Sequence, residues 1–212
     1  MNSGHLKIDK SWSLFLDRDG VINKRIVGGY VNSWDQFEFL PHVPEALKLI
    51  SENFERAIVV SNQQGVGKGL MTDEDVKAIH ARMADEIVKF GGNIDKTYYC
   101  PFLEEDKSIL RKPNIGMALK ARKDFPGINF KRSVMVGDSI SDMIFGKRLK
   151  MKTVFLSHDI SMIRKGTDFI DFVFVDLISF AKYLSISSSP PDFLTSSPPD
   201  FLTSSPPDII TK

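Results

Sequence analysis

Ser13-Leu14-Phe15-Leu16-Asp17-Arg18-Asp19-Gly20-Val21-Ile22-Asn23 is an apolar run that ends in two aspartates one residue apart. Read as a short buried strand, it delivers two carboxylates at its C-terminal end, where open α/β sheets bind their ligands. Read around Asp19-Gly20, with apolar residues on both sides, it is a β-hairpin signal. The rest of the chain decides between the two, because a pair of catalytic acids needs partners at other strand ends.

Five further apolar runs follow, at 57–60, 96–99, 133–136, 153–156 and 172–175. Several are continuous in Val, Ile, Leu and Phe, as in strands covered on both faces. Helical patterns lie between them. The pattern at 44–53 opens with Pro44-Glu45, a favourable first turn. The one at 72–90 opens with Thr72-Asp73-Glu74-Asp75, close to a capping box, and ends at Gly91-Gly92. Others span 114–124, 139–149 and 176–184. Strands alternating with helices predict an α/β fold with a doubly wound, Rossmann-like parallel sheet. His80 falls in the second helical pattern and is expected on its surface. Neither it nor His42 or His158 has a second ligand at metal spacing. Trp12 and Trp34 read as packing residues, with Trp34 also able to border a pocket.

The chain has 212 residues, 42% hydrophobic and 26% charged, enough for one domain with a sizeable core. A net charge of +1 creates no global field toward nucleic acid or an anionic membrane, so any anion site must be built locally. The single cysteine, Cys100, excludes an internal disulfide. The first ten residues lack a signal-peptide apolar core, and no apolar run is long enough to span a bilayer. A cytoplasmic monomer acting on a small molecule, with no nucleic acid and no membrane partner, is the expectation. Its folded domain covers 1–186. Beyond it, in 187–212, Ser188-Ser189-Pro190-Pro191-Asp192-Phe193-Leu194-Thr195 recurs at 196–203 and, with Ile209-Ile210 in place of Phe-Leu, at 204–211. Paired prolines with this period support neither helix nor ladder, so the tail reads as disordered. The functional alternative is a linear motif displaying Phe193 and Phe201.

Four strand ends carry polar groups that suit one reaction. At the first, a carboxylate such as Asp17 can attack phosphorus, and Asp19, two residues on, can protonate the leaving oxygen and later activate water. At the second, Ser61 in Ser61-Asn62-Gln63-Gln64-Gly65 can donate to phosphate oxygens; an ordinary polar turn is the plainer reading. Gly67-Lys68 is not a P-loop, since Gly69 stands where Ser or Thr is needed. At the third, Lys112 of Arg111-Lys112-Pro113-Asn114 can neutralise charge on a transferring phosphoryl group, the alternative being a solvated basic pair. At the fourth, Asp138 of Val136-Gly137-Asp138-Ser139 can hold Mg²⁺ through a hard oxygen. Asp142 reads either as a second acid there or as a helix cap paired with Ser139.

In this order the motifs resemble the haloacid dehalogenase superfamily of Mg²⁺-dependent phosphatases. With Gly29-Tyr30-Val31, Phe37-Glu38-Phe39, Tyr98-Tyr99-Cys100-Pro101 and Arg111-Lys112-Pro113, the chain is similar to the D-glycero-D-manno-heptose 1,7-bisphosphate phosphatases and their relatives, the histidinol-phosphate phosphatases. The likeness covers roughly 13–175. It implies a superfamily fold without a large cap domain and hydrolysis through an aspartyl-phosphate. The implied reaction is removal of the 7-phosphate in nucleotide-heptose and lipopolysaccharide precursor synthesis, with histidinol phosphate or another small sugar or alcohol phosphate as the alternative substrate. By the resemblance Asp17 is the nucleophile and Asp19 the acid/base; Ser61 and Lys112 hold the phosphoryl group. Asp17, the Asp19 carbonyl and Asp138 bind Mg²⁺. Arg111 selects the substrate, with Gly29, Tyr30, Asn62 and Gln63 lining the site.

Two departures stand out. The family's zinc loop, Cys-x-His then Cys-x-Cys, survives here only as Cys100; Phe102, Ser108 and Leu110 stand at the other positions. One ligand does not make a tetrahedral site, so no zinc is expected, and 101–110 should be ordered by packing of Phe102, Ile109 and Leu110. Ser139 also stands where the family carries a lysine. Two other function classes fit the sequence less well. A receiver-like phospho-binding domain would have its acidic pair first and its phosphorylated Asp two strands later, an order this chain lacks. A degenerate, non-catalytic member would not be expected to keep Asp17, Asp19, Ser61, Lys112 and Asp138 together.

Overall fold

The computed structural model describes residues 6–188. Six strands form one sheet in the order β3-β2-β1-β4-β5-β6. They are β1 (Ser13–Leu16), β2 (Arg56–Asn62), β3 (Lys96–Cys100), β4 (Ser133–Gly137), β5 (Lys152–Leu156) and β6 (Phe172–Phe174). Every neighbouring pair is parallel, so this is the doubly wound α/β sheet the alternation predicts. The hairpin reading of Asp19-Gly20 fails because β1 pairs on both sides with strands far away in sequence. The strand order reverses between β1 and β4, and at such a switch point the crevice beyond the strand ends is open to a ligand.

Strand alternation divides the core in two. Leu14, Leu16, Ala57, Val59, Val134, Val136, Val154 and Leu156 face one layer, built from α1 (Val43–Ser51), α2 (Asp73–Lys89) and α6 (Leu177–Ser188). Phe15, Ile58, Val60 and Met135 face the other, with Met117, Ala118 and Ala121 of α3 (Gly116–Asp124) and Phe145 of α4 (Ile140–Arg148). Burial on both faces explains why these strands read as continuous apolar runs. Thr72 and Asp75 close the capping box expected at the start of α2.

Some expectations are corrected. A short helix, α5 (Ile160–Lys165), lies where no helix was read, because its six residues carry no full apolar period. His80 is not on the surface: it is 3% exposed, inside the stripe of Val76, Ile79, Met83 and Ile87. In the loop at 101–110, Phe102 and Ile109 are 44% and 73% exposed, so they do not order it; only Leu110 packs on the core. Polar contacts hold the loop instead: Asp106 accepts from the Leu103 N–H at 2.8 Å, and the Ser108 carbonyl accepts from Asn114 at 3.0 Å. Both tryptophans are partly buried against the first core layer, and Trp34 stacks on Phe37. The repeat tail lies outside the described residues, apart from the end of α6 at Ser188. Among the described residues no helix is long and apolar enough to cross a membrane.

Candidate active site

The Asp17 N–H donates to the Val136 carbonyl at 3.0 Å, extending the β1–β4 pairing one residue past β1. The chain then folds back on itself: the Arg18 carbonyl accepts from the N–H groups of Ile22 and Asn23 at 2.8 and 3.0 Å. Gly20 sits at φ +94°, and a Cβ there would collide with the Asp138 carboxylate. Only glycine lets the turn after β1 lie against the end of β4. Asp17 and Asp138 thus flank the switch point of the sheet.

Lys112 joins them from the loop before α3. Its buried ammonium lies 2.9 Å from Asp17 Oδ1 and 2.6 Å from Asp142 Oδ1, and donates to the Val60 carbonyl at 2.8 Å. Its backbone is clasped by Asn62, which accepts from the Lys112 N–H at 2.9 Å and donates to the Lys112 carbonyl at 3.2 Å. Asp142 is the helix cap, and its free oxygen turns to Lys112. Its Oδ2 accepts from the Ser139 N–H and hydroxyl at 3.1 and 2.6 Å as a helix cap, while Oδ1 faces Lys112.

Asp17, Asp138 and Asp142 each offer a carboxylate oxygen within 4.8 Å of the others. Burial raises Asp17 to about 6, against the pull of Lys112. Burial and the neighbouring Asp17 raise Asp138 to about 7, against Arg25. For Lys112, burial alone would favour the neutral amine, but Asp142 and Asp17 outweigh it and its pKa rises. Three clustered acids share one buried cation, so the cluster is short of positive charge. Part of that deficit is met by Arg25, a half-exposed side chain whose Nη2 bridges the Asp19 carbonyl (3.1 Å) and Asp138 Oδ1 (2.8 Å). A cationic group therefore already lies across hard oxygen donors of the kind Mg²⁺ takes.

Asp138 opens on a neighbouring cavity beside Gly20 and Leu156, while Asp17 and Lys112, with Asp19 and Ser61, form the floor of a cleft of about 450 Å³. Arg25, Gly29, Tyr30, Asn62, Lys68 and Arg111 are among its walls. Arg111 leaves its buried Nη1 without a protein partner among the described residues. Gln63, expected on the wall, is buried behind it: its amide donates to Asp19 Oδ2 at 2.7 Å and Ser61 Oγ at 2.8 Å. Its neighbour Gln64 reaches the cleft instead and donates to the Tyr30 hydroxyl at 2.9 Å.

Around Asp19 lie buried side chains to which the sequence motifs assign no such part. Arg18 is fully buried, and its Nη2 donates to both oxygens of Asp19 at 2.9 and 3.0 Å. Buried Asn23 donates to Asp19 Oδ1 at 2.9 Å. Burial would raise the Asp19 pKa, but the Arg18 charge and the bonds from Asn23, Arg18 and Gln63 hold it below the usual carboxylate range. Only the Asn23 side of this network had a local signal, four residues from Asp19; Gln63 and His80 come from distant segments.

Comparison with known proteins yields consistent matches. The family model for polynucleotide kinase 3 phosphatase matches residues 14–192. The D-glycero-alpha-D-manno-heptose-1,7-bisphosphate 7-phosphatase of Mycobacterium bovis is 43% identical over 132 residues, 62% of this chain and 70% of that relative. The D-glycero-beta-D-manno-heptose-1,7-bisphosphate 7-phosphatase of Helicobacter pylori strain J99 is 36% identical over 141 residues, 66% of this chain and 79% of the relative. Among solved structures, the D,D-heptose 1,7-bisphosphate phosphatase of B. bronchiseptica, complexed with magnesium and phosphate, aligns with a TM-score of 0.75 at 25% identity, covering 84% of this chain and 99% of its own.

Proposed function

We propose that this chain, which belongs to the polynucleotide kinase 3 phosphatase family and so to the haloacid dehalogenase-type phosphatases, removes the 7-phosphate of D-glycero-D-manno-heptose 1,7-bisphosphate. One observation carries the reaction class: the Asp17 carboxylate and the Lys112 ammonium, 2.9 Å apart, meet from separate segments on the floor of the cleft, with an Asp138 carboxylate oxygen within 4.8 Å of one of Asp17. The substrate class is supported by the heptose bisphosphate relatives and by the cleft's cations. A bisphosphate needs a second anion site away from the reacting phosphate. Arg111, with an unpartnered nitrogen, and Lys68 on the same cleft suit that need.

In this reading the Asp17 carboxylate attacks phosphorus in line and becomes an aspartyl-phosphate. Asp19, ionised in the free protein, takes a proton from the monoanionic form of the substrate phosphate as it binds, gives it to the departing sugar oxygen, then accepts one from the water that hydrolyses the intermediate. The Ser61 oxygen already accepts from Gln63, which leaves its own O–H to donate to a phosphoryl oxygen. Lys112 offsets charge on the transferring group, and Asn62 holds its backbone in place. Asp17, the Asp19 carbonyl and Asp138 would hold Mg²⁺, which when bound adds electrostatic stabilisation of the phosphoryl oxygens.

The test is a phosphate-release screen with and without Mg²⁺. Its substrates are the heptose bisphosphate, histidinol phosphate, other sugar phosphates and a 3′-phosphorylated oligonucleotide. Mg²⁺-dependent preference for the heptose bisphosphate is expected; preference for any other compound refutes the substrate.

Two metal predictions accompany this reading. Arg25→Ala is expected to tighten Mg²⁺ binding about two- to fivefold in calorimetric titration of phosphate-free protein, because a half-exposed ion pair is worth roughly 0.2–1 kcal/mol. Unchanged or weaker binding would show that Arg25 does not compete for the metal's donors. Elemental analysis of purified protein is expected to find no stoichiometric zinc, since Cys100 lacks thiol or imidazole partners at the family's loop positions. One zinc per chain would overturn that reading of the loop.

A further inference from the structure

We infer that Arg18, braced from behind by His80, is a positioning residue that fixes the Asp19 carboxylate for its proton transfers; the inference rests on the acid/base reading of Asp19. Arg18 heads the largest fully buried side chains of the described protein. A buried guanidinium is costly unless paired, and among the described residues its one ion-pair partner is Asp19. The other groups it meets, Gln63 Oε1 and His80 Nε2, are each 3.2 Å away and neutral. Asp19 in turn is held on both oxygens. Oδ1 accepts from Arg18 and Asn23, and Oδ2 from Arg18 and Gln63. A carboxylate gripped in this way has little freedom to rotate.

His80 sets the far end of the network. A guanidinium only donates, so the His80 Nε2 facing Arg18 Nη1 is the acceptor and the ring proton sits on Nδ1. Burial and the Arg18 charge keep the ring neutral, with its pKa lowered to about 3. The edge of the Tyr99 ring contact, 5.6 Å between centroids, fixes the imidazole from the side of β3. A purely structural role fits this position poorly. His80 Nδ1 is buried with no protein partner among the described residues, a cost that an apolar side chain in line with Val76 and Met83 would avoid; what the imidazole adds at this position is the acceptor facing Arg18 Nη1. The arrangement makes sense if Arg18 must point at Asp19 in one orientation.

The leaving group reads out this role. A sugar alkoxide needs a proton as it departs, whereas a nitrophenolate does not, and kcat/KM reports only the steps through that departure. Wild type, His80→Leu, His80→Gln and Asp19→Asn are compared on the heptose bisphosphate and on nitrophenyl phosphate, each with a thermal melt. For His80→Leu, kcat/KM on the sugar phosphate is expected to fall roughly tenfold to hundredfold, and on nitrophenyl phosphate by less than about threefold. His80→Gln, whose amide oxygen can accept from Arg18, is expected to recover most of the loss. Should His80→Leu fail to fold, His80→Asn, too short to reach Nη1, carries the same comparison. Equal losses on both substrates, or none, overturn the inference. If Asp19→Asn discriminates between the substrates and the His80 variants do not, the positioning role alone falls. If Asp19→Asn does not discriminate either, the acid/base reading falls and takes the inference with it.

Discussion

Asp17→Asn is expected to cut turnover by at least about 10⁴-fold while leaving the protein folded, because an amide cannot attack phosphorus and the site holds no substitute nucleophile in the same place. The stability half of this expectation follows from the electrostatics. Burial raises the Asp17 pKa to about 6, so the folded protein binds its proton more readily than the unfolded chain does. Ionising Asp17 at neutral pH therefore costs the metal-free fold stability, on the order of a few kcal/mol at most. A neutral isostere removes that cost, of which the repulsion from Asp142 is a part. The Lys112 ammonium keeps its contacts to Asp142 and the Val60 carbonyl. In scanning calorimetry without Mg²⁺ the variant should melt at or above the wild-type temperature, while phosphate release from the heptose bisphosphate is lost. Near-normal release would place the nucleophile elsewhere, and a lower melting temperature would show that the Asp17 charge supports the fold.

That contrast between chemistry and packing also explains what could be read from the sequence. The strands were legible because a parallel sheet covered on both faces demands unbroken apolar runs, and 13–16, 57–60 and 133–136 supply them. Asp17, Asp19, Ser61 and Asp138 were legible as candidates because a doubly wound sheet brings the ends of β1, β2 and β4 together, and Lys112, in the loop before α3, because of its Arg111-Lys112-Pro113 motif. Arg18 was not. Nothing local marks an arginine between two acids as buried; its partners Gln63 and His80 are 45 and 62 residues away. His80 had a signal that was passed over: it lies four residues after Val76 and three before Met83, inside the apolar stripe of α2. Treating a polar residue as exposed overrode that spacing. Phe102 and Ile109 show the opposite error, since an apolar residue in a surface loop need not pack.

Lys112→Met should behave unlike Asp17→Asn, damaging fold and chemistry together. The ammonium is buried between Asp17 and Asp142, and those charges outweigh the burial that would otherwise neutralise it. Removing it leaves two carboxylates close together with no buried cation, and breaking a buried ion pair from one side typically costs about 3–5 kcal/mol. Denaturant unfolding should register a loss of that order. Turnover should fall as well, by about 10²–10³-fold, the usual consequence of losing one preorganised electrostatic donor. The two losses can be separated by adding Asp142→Asn. With Asp142 neutral, the double variant no longer buries that unpaired charge, and much of the stability should return. Activity should not return, because the Lys112 charge beside the transferring phosphoryl is still missing. If Lys112→Met unfolds like the wild type, the buried charges do not depend on each other as their geometry implies. If the double variant regains turnover as well as stability, then Lys112 serves the reaction only by holding Asp142 in place, and the charge opposite the phosphoryl group must come from the metal and the cleft arginines.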